Sequence, residues 1–177
     1  MAQVILTVLG VIAALVGAVL VVGAVLPKRH TTTRSVRLRH SSEAVWAAIT
    51  DVDGYAGWRT GLTRVERLPD ADGRPRWREY TTSGKITFEV TGSAVPSRWV
   101  TRIADPDLPF GGTWTYLVTS TSDGGSTVTI AEDGEIYNPV FRFVSRFVIG
   151  HTATLDKYLT ALGAKFGETV SPYAPTG

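Results

Sequence analysis

No cysteine occurs in the 177 residues, which excludes disulfides, thiol nucleophiles, cysteine-based zinc or iron–sulfur centres and a lipid-modified N-terminal cysteine. The three histidines fall at no metal-binding spacing, and neither a Ser-His-Asp constellation nor a Walker loop is present. Gly111-Gly112 lacks the third glycine and the helix of a dinucleotide site, so no metal and no cofactor is expected. Charge is missing from one stretch altogether: the first 26 residues carry none, while the rest of the chain holds all 18 basic and 16 acidic side chains. Lys28, Arg29, Arg34, Arg37 and Arg39 precede the first acid, Glu43, and from residue 41 onward acids outnumber bases. A nucleic-acid binder needs a basic face on the folded domain itself, so this distribution excludes nucleic acid as the partner.

What is present first is an apolar run, Val4 to Leu26, interrupted only by Thr7. As a helix it reaches roughly 35 Å, enough to span a bilayer. Val22-Gly23-Ala24 resembles a signal-peptide cleavage site, but Met1-Ala2-Gln3 supplies no basic n-region and the run exceeds an h-region in length. A retained transmembrane anchor over residues 1–27 is the expectation, ended by Pro27. The basic collar lies on its C-terminal side, which predicts a single-pass membrane protein with its C-terminal domain in the cytoplasm. Gly10, Ala14 and Gly17 share a stripe that would permit weak self-association, although small residues are common in membrane helices.

Beyond a basic linker, 28–34, the remaining chain reads as one α+β domain, 35–167, with a disordered tail, 168–177, containing Pro172 and Pro175. Val36 to His40 alternates apolar and basic side chains as a strand does, and Ser41-Ser42 with Glu43 opens a short amphipathic helix carrying Val45, Trp46 and Ile49. Trp46 is expected to be buried against the core. Six further strands follow at Leu62–Leu68, Arg76–Thr82, Lys85–Thr91, Arg98–Ala104, Thr113–Ser120 and Ser126–Ile136, separated by Gly, Pro, Asp and Ser clusters. The pattern predicts an antiparallel meander. Val140 to Phe166 then reads as one long helix, broader in apolarity over Phe141, Phe143, Phe147 and Ile149 than its contact with a sheet requires.

Ser42 to Tyr55 with Trp58 is similar to the opening helix and following turn of the SRPBCC superfamily, the START-like helix-grip domains that include polyketide cyclases and lipid-transfer proteins. Pro109 to Tyr116, Thr129 to Ile136 and Asn138-Pro139 with Phe141-Arg142-Phe143 resemble a bacterial subgroup of it. The resemblance covers about residues 33–168 and implies a helix-grip fold. In such a fold a curved antiparallel sheet of about seven strands wraps a long C-terminal helix, with a cavity between them for an apolar ligand.

In that frame Phe110, Trp114, Tyr116, Phe143, Phe147 and His151 are the expected ligand-binding residues, with Phe110 on an apolar loop tip that would act as a lid. Arg142 and Arg146, four apart on one helix face, are candidates for contact with a phosphate or carboxylate head group, or form a solvated cationic strip. His151 would serve as a proton donor or acceptor if it pointed inward, and otherwise as a hydrogen-bonded structural histidine. Glu132, Asp133 and Glu135 cluster late in a strand, but alternation sends Glu132 and Asp133 to opposite faces, as at a solvated strand end. Glu79, Glu89, Tyr80 and Tyr116 would each put a polar group in a pocket or stand elsewhere. No catalytic residue is assigned. The leading expectation is a membrane-tethered, non-catalytic domain that binds an apolar small molecule or lipid. The alternatives are a cyclase- or dehydratase-like enzyme using the same cavity and a ligand-free accessory protein of a membrane partner.

A reporter fused after Gly177 is expected to be active only as a cytoplasmic fusion. Alkaline phosphatase activity at that position would overturn the orientation, and replacing Lys28 and Arg29 by Glu should weaken it.

Overall fold

The computed structural model describes residues 1–175, leaving only the last two positions of the chain outside it. Its first element, α1 (Ala2–Val25), is a 24-residue helix that is exposed along nearly its whole length, with Gly17 and Val19 half-buried and Gly23 buried. By length and composition it is able to cross a membrane.

A seven-stranded antiparallel sheet follows: β1 (Arg29–Leu38), β2 (Leu62–Ala71), β3 (Arg74–Thr81), β4 (Gly84–Ala94), β5 (Arg98–Ile103), β6 (Phe110–Ser120) and β7 (Ser126–Ile136). The spatial order β1-β7-β6-β5-β4-β3-β2 makes β2 to β7 a continuous meander and seats β1 beside the last strand. The connection from β1 to β2 carries α2 (Ser42–Thr50) and a 3₁₀ turn, Asp53–Gly57. Ser41 caps α2 by accepting from the Ala44 amide, and Val45, Ala48 and Ile49 are buried. Register explains the core. Val36, Val128 and Val118 form one cross-strand row and Ile130, Tyr116 and Trp99 another, all on the face that packs Leu155, Leu159 and Leu162 of α4 (Ala153–Lys165).

The long helix expected over Val140–Phe166 is interrupted. It divides into α3 (Pro139–Val144), a π-helical turn (Ser145–Ile149) and α4, with Gly150 at φ 81° between the turn and α4. The two halves have different partners, so the break has a physical cause. Asn138 caps α3 through the amides of Val140 and Phe141. Pro139 then lies against Gly23 of α1, so closely that any side chain there would strike its carbonyl. Arg142, buried in this seam, donates to the carbonyls of Ala24 at 3.3 Å and Leu26 at 2.8 Å. The first half thus follows α1, while α4 follows the sheet.

Other expectations are corrected by pairing. From Arg29 onward the stretch read as a linker is the first half of β1, opposite Glu135 to Ile130 of β7. Phe110, Gly111 and Gly112 are not a loop tip; they pair with Ile136, Glu135 and Gly134 at the start of β6. Trp46 is only partly buried against the core. Residues 168–175, expected to be a disordered tail, return along β1. Tyr173 and Ser35 exchange backbone hydrogen bonds of 2.8 and 2.9 Å, and Arg34 donates to the Pro172 carbonyl at 2.6 Å and to Asp156 at 2.5 Å. Thr176 and Gly177 lie outside the described residues.

Glu168 fastens this return by accepting from the Arg39 amide at 3.0 Å and from His40 Nδ1 at 2.7 Å. Desolvation alone would raise its pKa, but hydrogen bonds from His40 and the Arg39 amide, with both charges, hold the carboxyl below its ordinary value. A depressed carboxylate stabilises the fold above its unfolded pKa and loses that contribution as pH falls through the folded one. Glu168→Gln should therefore lose about 1–2 kcal/mol near neutrality, and its thermal melting curve should approach the wild type's as pH falls below the ordinary carboxylate range. Parallel pH profiles for the two proteins would show that the carboxylate does not hold the return.

Candidate functional site

Alternation along three strands sends Trp77 and Glu79 of β3, Trp99 of β5, and Trp114 and Tyr116 of β6 to the concave side of the sheet. There they meet Tyr158 of α4 and the residues Tyr55, Trp58 and Arg59 in and just after the 3₁₀ turn. The rings interlock in a lattice. Trp77 stacks on Trp99 (centroids 5.7 Å apart, planes 9°) and on Phe88 (5.5 Å); Tyr116 lies 5.4 Å from Trp99 and 5.6 Å from Tyr158, and Trp58 meets Tyr158 edge-on at 5.3 Å.

Within this lattice sits an ion pair. Arg59 Nη1 donates to Glu79 Oε1 at 2.5 Å, and Trp77 Nε1 donates to the same oxygen at 3.1 Å. The guanidinium also lies 4.8 Å from the Tyr55 ring centroid and 5.2 Å from that of Tyr158. Desolvation is the largest influence and works against the Arg59 charge, but the Glu79 carboxylate together with the oxygens of Tyr158, Tyr116 and Tyr55 outweighs it and raises the pKa further. Burial pushes the phenols of Tyr55, Tyr116 and Tyr158 up, so all three stay protonated; Tyr55 donates to the Ile49 carbonyl at 2.5 Å, while the Tyr158 hydroxyl is buried without a hydrogen-bond partner among the described residues. On the same face Glu132 lies beside Trp114; burial raises its pKa against a hydrogen bond with Trp114 that lowers it.

Two concavities flank the interior. One is a groove of about 450 Å³ walled by Trp46, Val52, Trp77, Val90 and Trp99, with Ser93 at its edge; Arg67, the charged group lining it, is held by Asp53 at 2.9 and 3.1 Å. Trp77 and Trp99 belong both to this wall and to the interior lattice. The other is a wider polar cleft of about 900 Å³. Arg76, Glu89, Arg102, Thr113, Asp133 and Thr31 cross it as one register row on six strands, at positions alternate to those of the lattice and hence on the opposite face. Part of its charge is paired: Glu89 accepts from Arg102 at 2.6 Å and Arg29 meets Glu135 at 2.8 Å, while Arg76 has no carboxylate partner among the described residues and its Nε is buried without a hydrogen bond.

The residues expected to share one ligand cavity are not brought together. Trp114 and Tyr116 are in the lattice. Phe110 is part of β6, opposite Ile136. Phe143 and Phe147 pack on each other at 5.0 Å, and Phe147 is exposed beyond α3, lining neither concavity. His151 stacks on His30 at 4.1 Å and meets Ser145 Oγ at 3.1 Å; burial, then the nearby Arg146 charge, lowers its pKa. Arg142 is occupied by the end of α1, and Arg146 is exposed. Sequence reasoning passed over Arg59 and the tryptophans Trp77 and Trp99. The available signal was Trp77 two places from Glu79 on one strand face, a buried carboxylate that requires a cation.

A family model described as polyketide cyclase / dehydrase and lipid transport matches residues 29–167. Solved structures with the same fold include a START superfamily protein from Mycobacterium smegmatis (TM-score 0.62, 17% identity, 77% of this chain and 96% of that one). The Zhui aromatase/cyclase from Streptomyces sp. R1128 is similar at TM-score 0.62 and 13% identity, over 77% of this chain and 93% of that one. A conserved protein from Geobacillus kaustophilus reaches TM-score 0.65 at 15% identity, over 81% and 99%. At these identities the likeness is one of fold. No curated protein matches the chain in sequence.

The buried pair makes the site's energetics testable. Arg59→Met leaves the Glu79 carboxylate without its cation and should cost about 3 kcal/mol in urea unfolding. The double variant Arg59→Met, Glu79→Met should recover much of that loss. A single-variant cost below about 1 kcal/mol would mean that the pair behaves as a solvated surface bridge.

Proposed function

The chain belongs to the polyketide cyclase / dehydrase and lipid transport family over residues 29–167, and from that membership we propose that it is a membrane-tethered domain that binds an apolar, ring-bearing small molecule without transforming it. The observation that carries this reading is the open groove of about 450 Å³ walled by three tryptophans and two valines. The partly exposed Trp46 ring with Val90 beside it, over the buried Trp77 and Trp99, favours an apolar ligand with a planar part, bound by contact with that ring and by release of water from both surfaces.

Tethering is supported by the seam at Gly23 and Arg142. Cleavage at a signal site near Ala24 would remove the Ala24 carbonyl, one of the two that Arg142 caps, and the helix on which α3 packs. The basic residues immediately after the span favour a cytoplasmic domain. Binding rather than catalysis is supported by the state of the interior groups. Glu79 is shared between Arg59 and Trp77, and the three phenols hold their protons, so none of these four groups is a free base. A cyclase-like reading is favoured by one observation, the raised carboxyl of Glu132 beside Trp114, an acid with no identified basic partner.

The reading is tested with the full chain in lipid nanodiscs, following tryptophan quenching by the neutral fluorophore N-phenyl-1-naphthylamine. Saturable quenching is expected, weakened about ten-fold, or about 1.4 kcal/mol, by Ser93→Asp, which places a charge on the groove's edge and leaves the melting temperature unchanged. Non-saturable quenching, identical in both proteins, would reflect partition into lipid alone and refute the groove as the site.

A further inference from the structure

The seam that breaks the C-terminal helix leaves an apolar surface uncovered. Phe141, Phe147, Val148 and Ile149 are 51%, 60%, 71% and 60% exposed, on a segment that contributes little to the core formed by the sheet and α4. Four large apolar side chains kept in water within nine residues are costly, at roughly 25 cal/mol per Å² of apolar surface. We propose that this segment, α3 with the π-helical turn, lies in the boundary layer of the same bilayer that α1 crosses, as a second, non-spanning membrane contact.

Three observations select lipid as the occupant. The segment is continuous with α1: Pro139 abuts Gly23, and Arg142 bonds to Ala24 and Leu26, so α3 sits beside the last turn of the span, at the depth where hydrocarbon gives way to head groups. The cation that would oppose insertion, Arg142, is already buried in the seam, its Nη1 bonded to those two carbonyls, and is not on the outward apolar surface. No carboxylate occurs between Glu135 and Asp156, whereas Lys28 follows the end of α1 and Arg146 lies exposed on the segment itself, the sign that meets lipid phosphates. The inward-folded half of this stretch has its own partner in the sheet, so the outward half is free to embed without unfolding the domain.

The inference rests on α1 being a membrane span, and the test separates the two. The chain has no cysteine, so single cysteines carrying a nitroxide can be placed at Val11, Val148, Ile149 and Lys157 in the full chain, reconstituted in phosphatidylcholine/phosphatidylglycerol vesicles. Val148 and Ile149 are exposed, so labels there do not perturb the core. An oxygen-to-nickel accessibility ratio at these two sites about ten-fold above that at Lys157, approaching that at Val11, is expected. Water-like values at Val148 and Ile149 with a lipid value at Val11 would overturn the second contact and leave the anchor standing. Water-like values at all four would overturn the anchor and the contact together. Spin–spin broadening at Val148 would mean that a second copy covers the patch in place of lipid, and would likewise overturn the inference.

Discussion

A helix ends in carbonyls that its own next turn does not satisfy, and where that end is packed against a folded domain they need donors from it. In this chain the donor is Arg142, 118 positions from Ala24, reaching two carbonyls at the end of α1 from inside a helix of the folded domain. Gly23 makes the approach possible, since a side chain there would collide with the Pro139 carbonyl. Much of the rest follows from this one contact. It fixes α3 to α1, and a helix fixed there has to turn before α4 reaches the sheet. The π-helical turn and Gly150 at φ 81° accomplish that change of direction.

On the other side of the break, α4 closes the concave face of the sheet with rings rather than leaving a hollow. Trp77, Trp99, Trp114, Tyr116 and Tyr158 fill it, and the cost of burying the Arg59–Glu79 pair among them is offset by the indole hydrogen bond and the ring faces around the guanidinium. Outside that lattice, the groove between α2 and β3 to β5 has the partly exposed Trp46 on its wall, with Trp77 and Trp99 buried beneath it. The tryptophans that order the core thereby form the floor on which the groove rests.

The strands were legible because each carries a two-residue rhythm bounded by Gly, Pro, Asp or Ser, and that rhythm survives any tertiary context; Ser126–Ile136 was read to its final boundaries. The broken helix was not. Val144, Val148, His151 and Leu155 keep helical spacing through the break, and the forces that interrupt it come from Gly23 and Leu26 far upstream. Phe110 to Gly112 looked like a loop because Pro109 and two glycines punctuate it, yet glycines also fit where strands approach closely, and Gly112 faces the Asp133 carbonyl. The final segment read as disordered from its prolines; its order depends on Glu168 and on one backbone exchange with Ser35, neither of which has a local pattern. The candidate site fared in the same way. Trp114 and Tyr116 were recognisable from alternation, but Arg59 acquires its role only when a turn brings it over Glu79.

The length of the connection between anchor and sheet constrains what a tethered domain can do. A seven-residue basic linker would have allowed the domain to swing by roughly 20 Å from the end of the span. Instead β1 begins at Arg29, leaving Leu26, Pro27 and Lys28 as the whole connection, and the Ile136 amide donates to the Lys28 carbonyl at 2.8 Å. The chain is therefore held on both sides of the seam, by β7 through Lys28 and by α3 through Arg142. A carrier that shuttles between a bilayer and a distant acceptor needs reach, and this connection provides almost none. In the tethered reading the groove keeps one height and one orientation relative to the membrane. The domain then acts as a fixed receiving or presenting site, and any transport over distance falls to the ligand's own diffusion or to a partner that comes to the groove.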